Sequence, residues 1–495
     1  MKKTFLFVLS IILSIFVVGC TPKTEDAPDK EDDDDIVSLD TKMDYVKNTS
    51  GLYDEFFDVN SNVQIKIDIA ESELALIQSD YETYASKGSK SPIYRMSNVT
   101  FIINGKTHVF EEVGIRMKGN TSRTNFYNQE QGLYHLIHYK LSFKQTFDDE
   151  AYYANPKVWA SKEARDERKD RTFAGMEKLD LKWNKSFDET YSREYWTYEM
   201  YSSFGVLAPK ITSVNMQLKY RQDYENLGVY FALECIDELF LEKRLGSKHL
   251  GGDLYKVGWD YEKGGSLTMD TINKIGVENE DESYFPVYDL KTNKKNNEHI
   301  LLKTLIQTLN QDTDFSSLVN MNYYLVYEAI SYLVGNPDDL RHHYNNYYIY
   351  FLKDTNQAIF IPYDFDRTFG VTRDWNPSGD GMTSYSPYAK MTTMGGVDDQ
   401  INPLVLKTVV KGAPEAYLEN YKKVILEAMS TKFYKDEMFN EVYQIRKEIY
   451  DNAVNITISG MGYFECLFNY NETKNMKFSS YLSGKTTTIN QTIND

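Results

Sequence analysis

The chain has 495 residues, 41% hydrophobic and 26% charged, enough for a substantial core in one large or two ordinary domains. A formal net charge of −18 excludes non-specific nucleic-acid binding, which needs a basic face to neutralise phosphates. Three cysteines are too few for a disulfide framework or a thiolate zinc site, and 40 tyrosines point to sheet and interface packing ahead of a sugar-stacking surface.

The first segment reads as a targeting signal. Lys2 and Lys3 precede an apolar stretch, residues 4–18, that ends in Val17-Val18-Gly19-Cys20. This pattern resembles a bacterial lipoprotein signal, in which Cys20 is lipidated after cleavage and tethers the protein to the extracytoplasmic membrane face. The apolar run is shorter than the roughly 20 residues a spanning helix needs. No other stretch is long and apolar enough to span. Cys235 and Cys466 then leave either one bridge or two buried thiols. Residues 21–42, with the run Asp32 to Asp35, form an acidic, solvated tether to which no chemistry is assigned.

Strict alternation predicts a strand at 63–69, followed by a helix at 71–86. Residues 98–104 and 106–110 read as a hairpin on the Asn104-Gly105 turn. The next strand presents Arg116 and Lys118 on one face and empties into a loop beginning Gly119-Asn120. Cations beside a loop of small residues could hold phosphate oxygens, and an ordinary strand-to-turn transition accounts for them equally well. Residues 139–144 alternate again, with Lys140 opposite Leu141 and Phe143, and 176–183 form another short strand. Ser186 to Glu189 reads as a capping box opening a helix to Phe204, closed by Gly205 and offering the carboxylates Glu194 and Glu199. Strands at 212–220, 228–234 and 252–256 follow, with an Asp237-capped helix before the last. Residues 258–290 are polar and read as an insertion, and helices are expected at 298–311 and 317–334. Beyond a loop at 371–400 come helices near 403–411, 414–430 and 436–453, then a polar tail past Ser480 expected to fray. There is no internal repeat.

The stretch 333–370 carries the chemistry. Asp338 and Asp339 precede two aromatic-aliphatic runs, 347–352 and 358–363, that read as a hairpin about a Lys-Asp-Thr-Asn-Gln turn. Asn345 and Asn346 stand at its entry, and Asp364 and Asp366 where it ends. This order is similar to that in which protein kinases place their base, a metal-binding amide and their chief metal ligand, although the His-Arg-Asp and Asp-Phe-Gly spellings are absent. Asp is common in turns, which is the bland account of Asp338 and Asp339. Two acids directly after a buried strand are costlier unless a cation or donors satisfy them.

Taken together, the blocks at 114–122, 139–143, 228–234 and 253–256, Gly335-Asn336 with its following Asp, Asn346-Tyr347-Tyr348, and 364–370 resemble the spore-coat protein H (CotH) kinase-like family, in the family's order over about residues 60–450. The resemblance implies an α+β, atypical protein-kinase-like fold of two lobes within 43–480. Its sheet-rich N-terminal lobe spans about 60–234 and its helical C-terminal lobe about 235–455. It implies an ATP-dependent Ser/Thr kinase acting on coat or surface proteins with Mg²⁺ or Mn²⁺. On that resemblance Asp338 or its neighbour Asp339 orients the acceptor hydroxyl, and Asp364, Asp366, Asn345 and Asn346 serve the metal. Arg116, Lys118, Gly119, Asn120 and Lys256 lie near ATP. Lys140 holds the α/β-phosphates, with Glu194 as its helix partner, and Glu234 sits by the adenine. Hard Mg²⁺ wants such carboxylate and amide oxygens.

Two other readings fit the same residues. One is a non-catalytic surface or coat assembly protein on the same scaffold, since ATP is scarce outside the membrane. The other is a haloacid-dehalogenase-type phosphatase with Asp364 as nucleophile, Asp366 as acid-base and Asp398-Asp399 as metal acids. That fold needs strands alternating with helices after the motif, where helices alone are expected.

Overall fold

Alternation of apolar and polar residues sets the first half of the fold. In the strand Val63–Asp68, Val63, Ile65 and Ile67 are fully buried while the residues between them stay partly accessible. Seven strands close into a barrel in the order Val63–Asp68, Arg95–Ile103, Lys106–Lys118, His138–Ser142, Lys178–Trp183, Glu225–Glu234 and Ile211–Lys219. All neighbours are antiparallel except the closing pair, in which Ile211–Lys219 runs parallel to Val63–Asp68. The Asn104-Gly105 turn is as expected: both residues have positive φ, 49° and 81°, as a two-residue hairpin turn of matching twist requires. Phe101 stacks on Phe173 at 3.8 Å in the core that the barrel strands share with the helix Gly51–Phe57.

A second sheet has five strands, in the order Ile275–Gly276, Tyr288–Leu290, Leu254–Val257, Tyr347–Phe351 and Ala358–Pro362. The last two form the expected hairpin, and every residue in both is buried. The helix Met321–Val334 packs beside this hairpin and against the helix Glu415–Ser430; it is buried from Tyr323 onward and ends at Gly335, whose φ is 64°. Strands thus dominate up to Glu234 and helices after it, in a mixed α/β chain.

The computed structural model describes residues 39–494 apart from 121, 129, 131–132, 187, 261–263, 372–379, 391–401, 454–455, 459–461 and 465–474. The segment expected as a leader, with Cys20, most of the expected tether, Asp398, Asp399 and Cys466 lie outside the described residues. Cys235 is a free, half-buried thiol. No helix among the described residues is long and apolar enough to cross a membrane.

Three expectations change. The segment 258–290 is no mere insertion, because Ile275–Gly276 and Tyr288–Leu290 join the second sheet. Strands of two and three residues are too short to show a period. The helix expected from Ser186 begins at Arg193, because Asp188 accepts hydrogen bonds from the backbone N–H groups of Thr190, Ser192 and Arg193 and folds the preceding segment into a turn. The tail does not fray: Phe478–Thr492 is a helix that buries Phe478, Tyr481, Leu482, Lys485 and Ile489. Phe478 stacks on Phe439 at 3.9 Å and meets Phe369 at 4.8 Å. Phe478→Ala should therefore destabilise the protein by about 3–5 kcal/mol in denaturant unfolding. A loss below about 1 kcal/mol would show that the tail helix is not part of the cooperative core.

Candidate functional site

The loop after Gly335 separates its two acids by backbone direction. Asp338 faces a cavity of about 830 Å³, and Asp339 turns away from it into the protein, fully buried. Asp339 Oδ1 accepts from the backbone N–H groups of Arg341 (2.9 Å) and His342 (2.8 Å) and lies 2.8 Å from His342 Nδ1, while Ser331 Oγ donates to its Oδ2 at 2.5 Å. It fixes the loop. Asp338 instead receives a hydrogen bond from Asn346 Nδ2 at 2.8 Å, with Asn345 Nδ2 at 3.4 Å.

The open end of the hairpin brings the second acid group to the same place. Asn346 precedes the first strand and Asp364 follows the second, with positive φ of 55° and 58°, and Tyr363 N–H donates to the Asn346 carbonyl at 3.2 Å. Asn and Asp tolerate this left-handed conformation better than other side chains, so the backbone can turn sharply on both sides of the hairpin mouth. Asp338, Asn345, Asn346, Asp364 and Asp366 all line the one cavity.

The barrel supplies the facing cations. In the strand Lys178–Trp183, Leu179 and Leu181 enter the core while Asp180 and Lys182 line the cavity. Lys182 Nζ lies 2.6 Å from Asp364 Oδ1 and 3.1 Å from Glu194 Oε1. Asp180 binds Lys118 at 2.6 Å and Lys140 at 3.1 Å. The lysine opposite Glu194 is thus Lys182, where Lys140 was expected; Lys140 pairs with Asp180 and sits 3.6 Å from Cys235 Sγ. Lys182 is not singled out by the sequence reading, although a charged residue at every second position of Lys178–Trp183 marks a face turned away from the core.

The remaining residues divide. Arg116 donates to the Ser91 carbonyl at 2.6 Å and, like Asn120, lines the cavity. Gly119 also lines it and turns with φ 112°, where a Cβ would fall 1.8 Å from Ser122 Oγ, so the turn requires glycine. Lys256 lies 4.6 Å from the Tyr363 ring centroid, and burial followed by Lys118, Lys291 and Lys140 lowers its ammonium to about 7. Glu234 does not reach the cavity: it is buried against Arg244 (2.5 Å) and the Tyr53 hydroxyl (2.8 Å), which corrects its expected place beside adenine.

Charge and burial set these acids apart. Burial, then Asp364 and Asp366, raise Asp338 to about 7. Burial also opposes ionisation of Asp364, yet Lys182 and then Lys118 hold its carboxyl well below the usual range. Burial raises Glu194 to about 7 against the pull of Lys182. Among the described residues no three His, Cys, Asp or Glu side chains are grouped closely enough to hold a metal by themselves. Three carboxylates and two amides around one cavity nevertheless offer the hard oxygens that Mg²⁺ or Mn²⁺ prefers. After Asp366 the described residues hold helices and one short ribbon, Ile456–Ile458 with Gly462–Phe464, not the alternating strands a dehalogenase-type phosphatase needs.

A family model described as "CotH kinase protein" matches residues 115–482. The inner spore coat protein H of Bacillus subtilis (strain 168) is 26% identical over 208 residues, 40% of this chain and 52% of that protein. The chain thus spans about half the length of this curated relative. The crystal structure of the Helicobacter pylori proinflammatory kinase CtkA aligns with a TM-score of 0.27 at 12% identity, over 63% of this chain and 91% of that one.

Stability separates the two adjacent acids. In metal-free buffer at about pH 8, Asp338→Asn should match or exceed the parent, since the amide removes a charge that burial and neighbouring acids oppose. A carboxyl raised to about 7 contributes stability that is complete below about pH 4 and is lost as pH rises through about 7. The gap in unfolding midpoint between variant and parent should therefore close as pH falls from about 8 to about 4. Asp339→Ala should cost about 3 kcal/mol, because it strips the partners from two buried N–H groups, a hydroxyl and an imidazole. Equal losses from both substitutions would overturn the division.

Proposed function

This chain belongs to the CotH kinase family, matched over residues 115–482, and on that premise we propose that it transfers the γ-phosphoryl group of ATP to serine or threonine hydroxyls of proteins. The observation that carries this reading is the convergence on one cavity of Asp338, the Asp364–Asp366 pair and Lys182, itself paired with the buried Glu194, from separate parts of the chain. We read the barrel and the helical part as two lobes, with Arg116, Lys118 and Lys182 on the first and Asp338, Asp364 and Asp366 on the second.

Phosphoryl transfer asks the protein mainly to position charge. Asp338, held by Asn346 and titrating near neutrality, is placed to orient the acceptor hydroxyl and take its proton. Asp364, Asp366, Asn345 and Asn346 would hold a divalent ion, which when bound neutralises charge on the β- and γ-phosphates. Lys182, kept in place by Glu194, would exchange its contact with Asp364 for phosphate oxygens, with Lys118, Arg116 and Asn120 nearby. A complete set of acids and a buried Lys–Glu pair supports catalysis over a purely structural role. The lipoprotein-like leader supports an exported, lipid-anchored protein whose substrates are coat or surface proteins.

Full-length protein incubated with labelled ATP, Mg²⁺ or Mn²⁺ and candidate envelope proteins should transfer label to Ser or Thr. Asp364→Ala and Lys182→Met should each reduce the rate at least about 100-fold. Transfer that survives Asp364→Ala would place the chemistry elsewhere.

A further inference from the structure

The cavity extends past the acids to a second charged cluster that phosphoryl transfer does not require. At its centre is Glu278, on the segment between the strands Ile275–Gly276 and Tyr288–Leu290. Lys291 Nζ lies 3.3 Å from one of its carboxylate oxygens and Lys90 Nζ 3.9 Å from the other. Lys291 also pairs with Asp289. Burial opposes the charge of Glu278, yet Lys291, Lys90, Lys256 and Arg116 hold its carboxyl down to about 2. Lys90, Arg116, Lys256, Lys291 and Lys294 line this part of the cavity together with Glu278, Glu280 and Asp289, so that basic groups outnumber carboxylates. Lys256 touches no carboxylate among the described residues.

A half-buried surplus of positive charge is costly in the free protein. It stands out further in a chain whose net charge is −18. The surplus is matched when an anion enters. That anion need not be the nucleotide, because neither Lys90 nor Lys291 contacts Lys182, Asp364 or Asp338. We propose that Lys90, Lys291 and the shared Lys256 form an acceptor subsite that binds an anionic side chain, carboxylate or phosphate, close to the target hydroxyl of the protein substrate. Glu278 holds the subsite in the free protein and yields its cations to the incoming group. This rests on the phosphotransfer reading.

The test measures binding without turnover. Fluorescent peptides of about 12 residues, each with a central serine flanked by glutamate, phosphoserine, alanine or lysine, are titrated with the full-length protein, and MANT-ATP is titrated separately. Glutamate or phosphoserine peptides should bind about tenfold tighter than the lysine peptide, and the stronger of the two identifies the anion. In Lys90→Ala and Lys291→Ala the preference should fall below about twofold with MANT-ATP affinity unchanged. If loss of the Asp289 pair unfolds Lys291→Ala, the more exposed Lys90→Ala carries the test. Equal binding of all peptides, or preference for lysine, overturns the subsite. So does a matching loss of MANT-ATP affinity, which would make these lysines nucleotide contacts. A protein that binds acidic peptides but transfers no phosphate would fail the proposed activity and keep the subsite.

Discussion

One ammonium group ties the barrel to the acid-bearing loops. Lys182 stands on a barrel strand, Glu194 on the helix Arg193–Ser203, and Asp364 on the turn after the hairpin, and Lys182 Nζ lies 2.6 Å from Asp364 and 3.1 Å from Glu194. Lys182 and Glu194 are only 5% and 4% exposed, so their ionisation depends on one another more than on water. Removing one member leaves the others charged and unmatched, which costs far more than an exposed pair would. The cavity therefore has its shape because three segments, distant in sequence, must meet at this point. Two residues earlier on the same strand, Asp180 gathers Lys118 and Lys140 in the same way.

What could be read in advance was local. The period-two strands, the Asn-Gly hairpin, the buried hairpin at 347–363 and the acids at its mouth all follow from patterns within a few residues. The hidden parts were decided by distant partners. Lys140 and Lys182 have the same strand context, and only barrel closure determines which of them faces Glu194. That closure pairs Ile211–Lys219 with Val63–Asp68, a parallel contact with no local signature. In the tail, Ser and Thr are poor helix formers and mask the apolar face of Phe478, Tyr481, Leu482 and Ile489. Asp338 and Asp339 are identical neighbours, and composition could not tell which one looks outward.

The hairpin works as a caliper. Its strands are buried throughout, so their register is held firmly, and the polar residues gather at the open end where Asn346 and Asp364 turn away. Asp339 contributes from behind by fastening the loop that carries Asp338. Rigid strands thus set the spacing of acids that lie on loops, which gives loop residues the precision of sheet residues.

The helix Phe478–Thr492 emerges from the ribosome well after the acids it supports. Tyr481 donates to the Leu333 carbonyl at 2.9 Å, Met476 N–H to that of Gly370 at 3.2 Å, and Phe369 rests on Phe478. A nascent or C-terminally clipped chain would carry every charged group of the cavity without the buttress behind them. A chain cut before this helix would bear the full set of acids and hold them loosely.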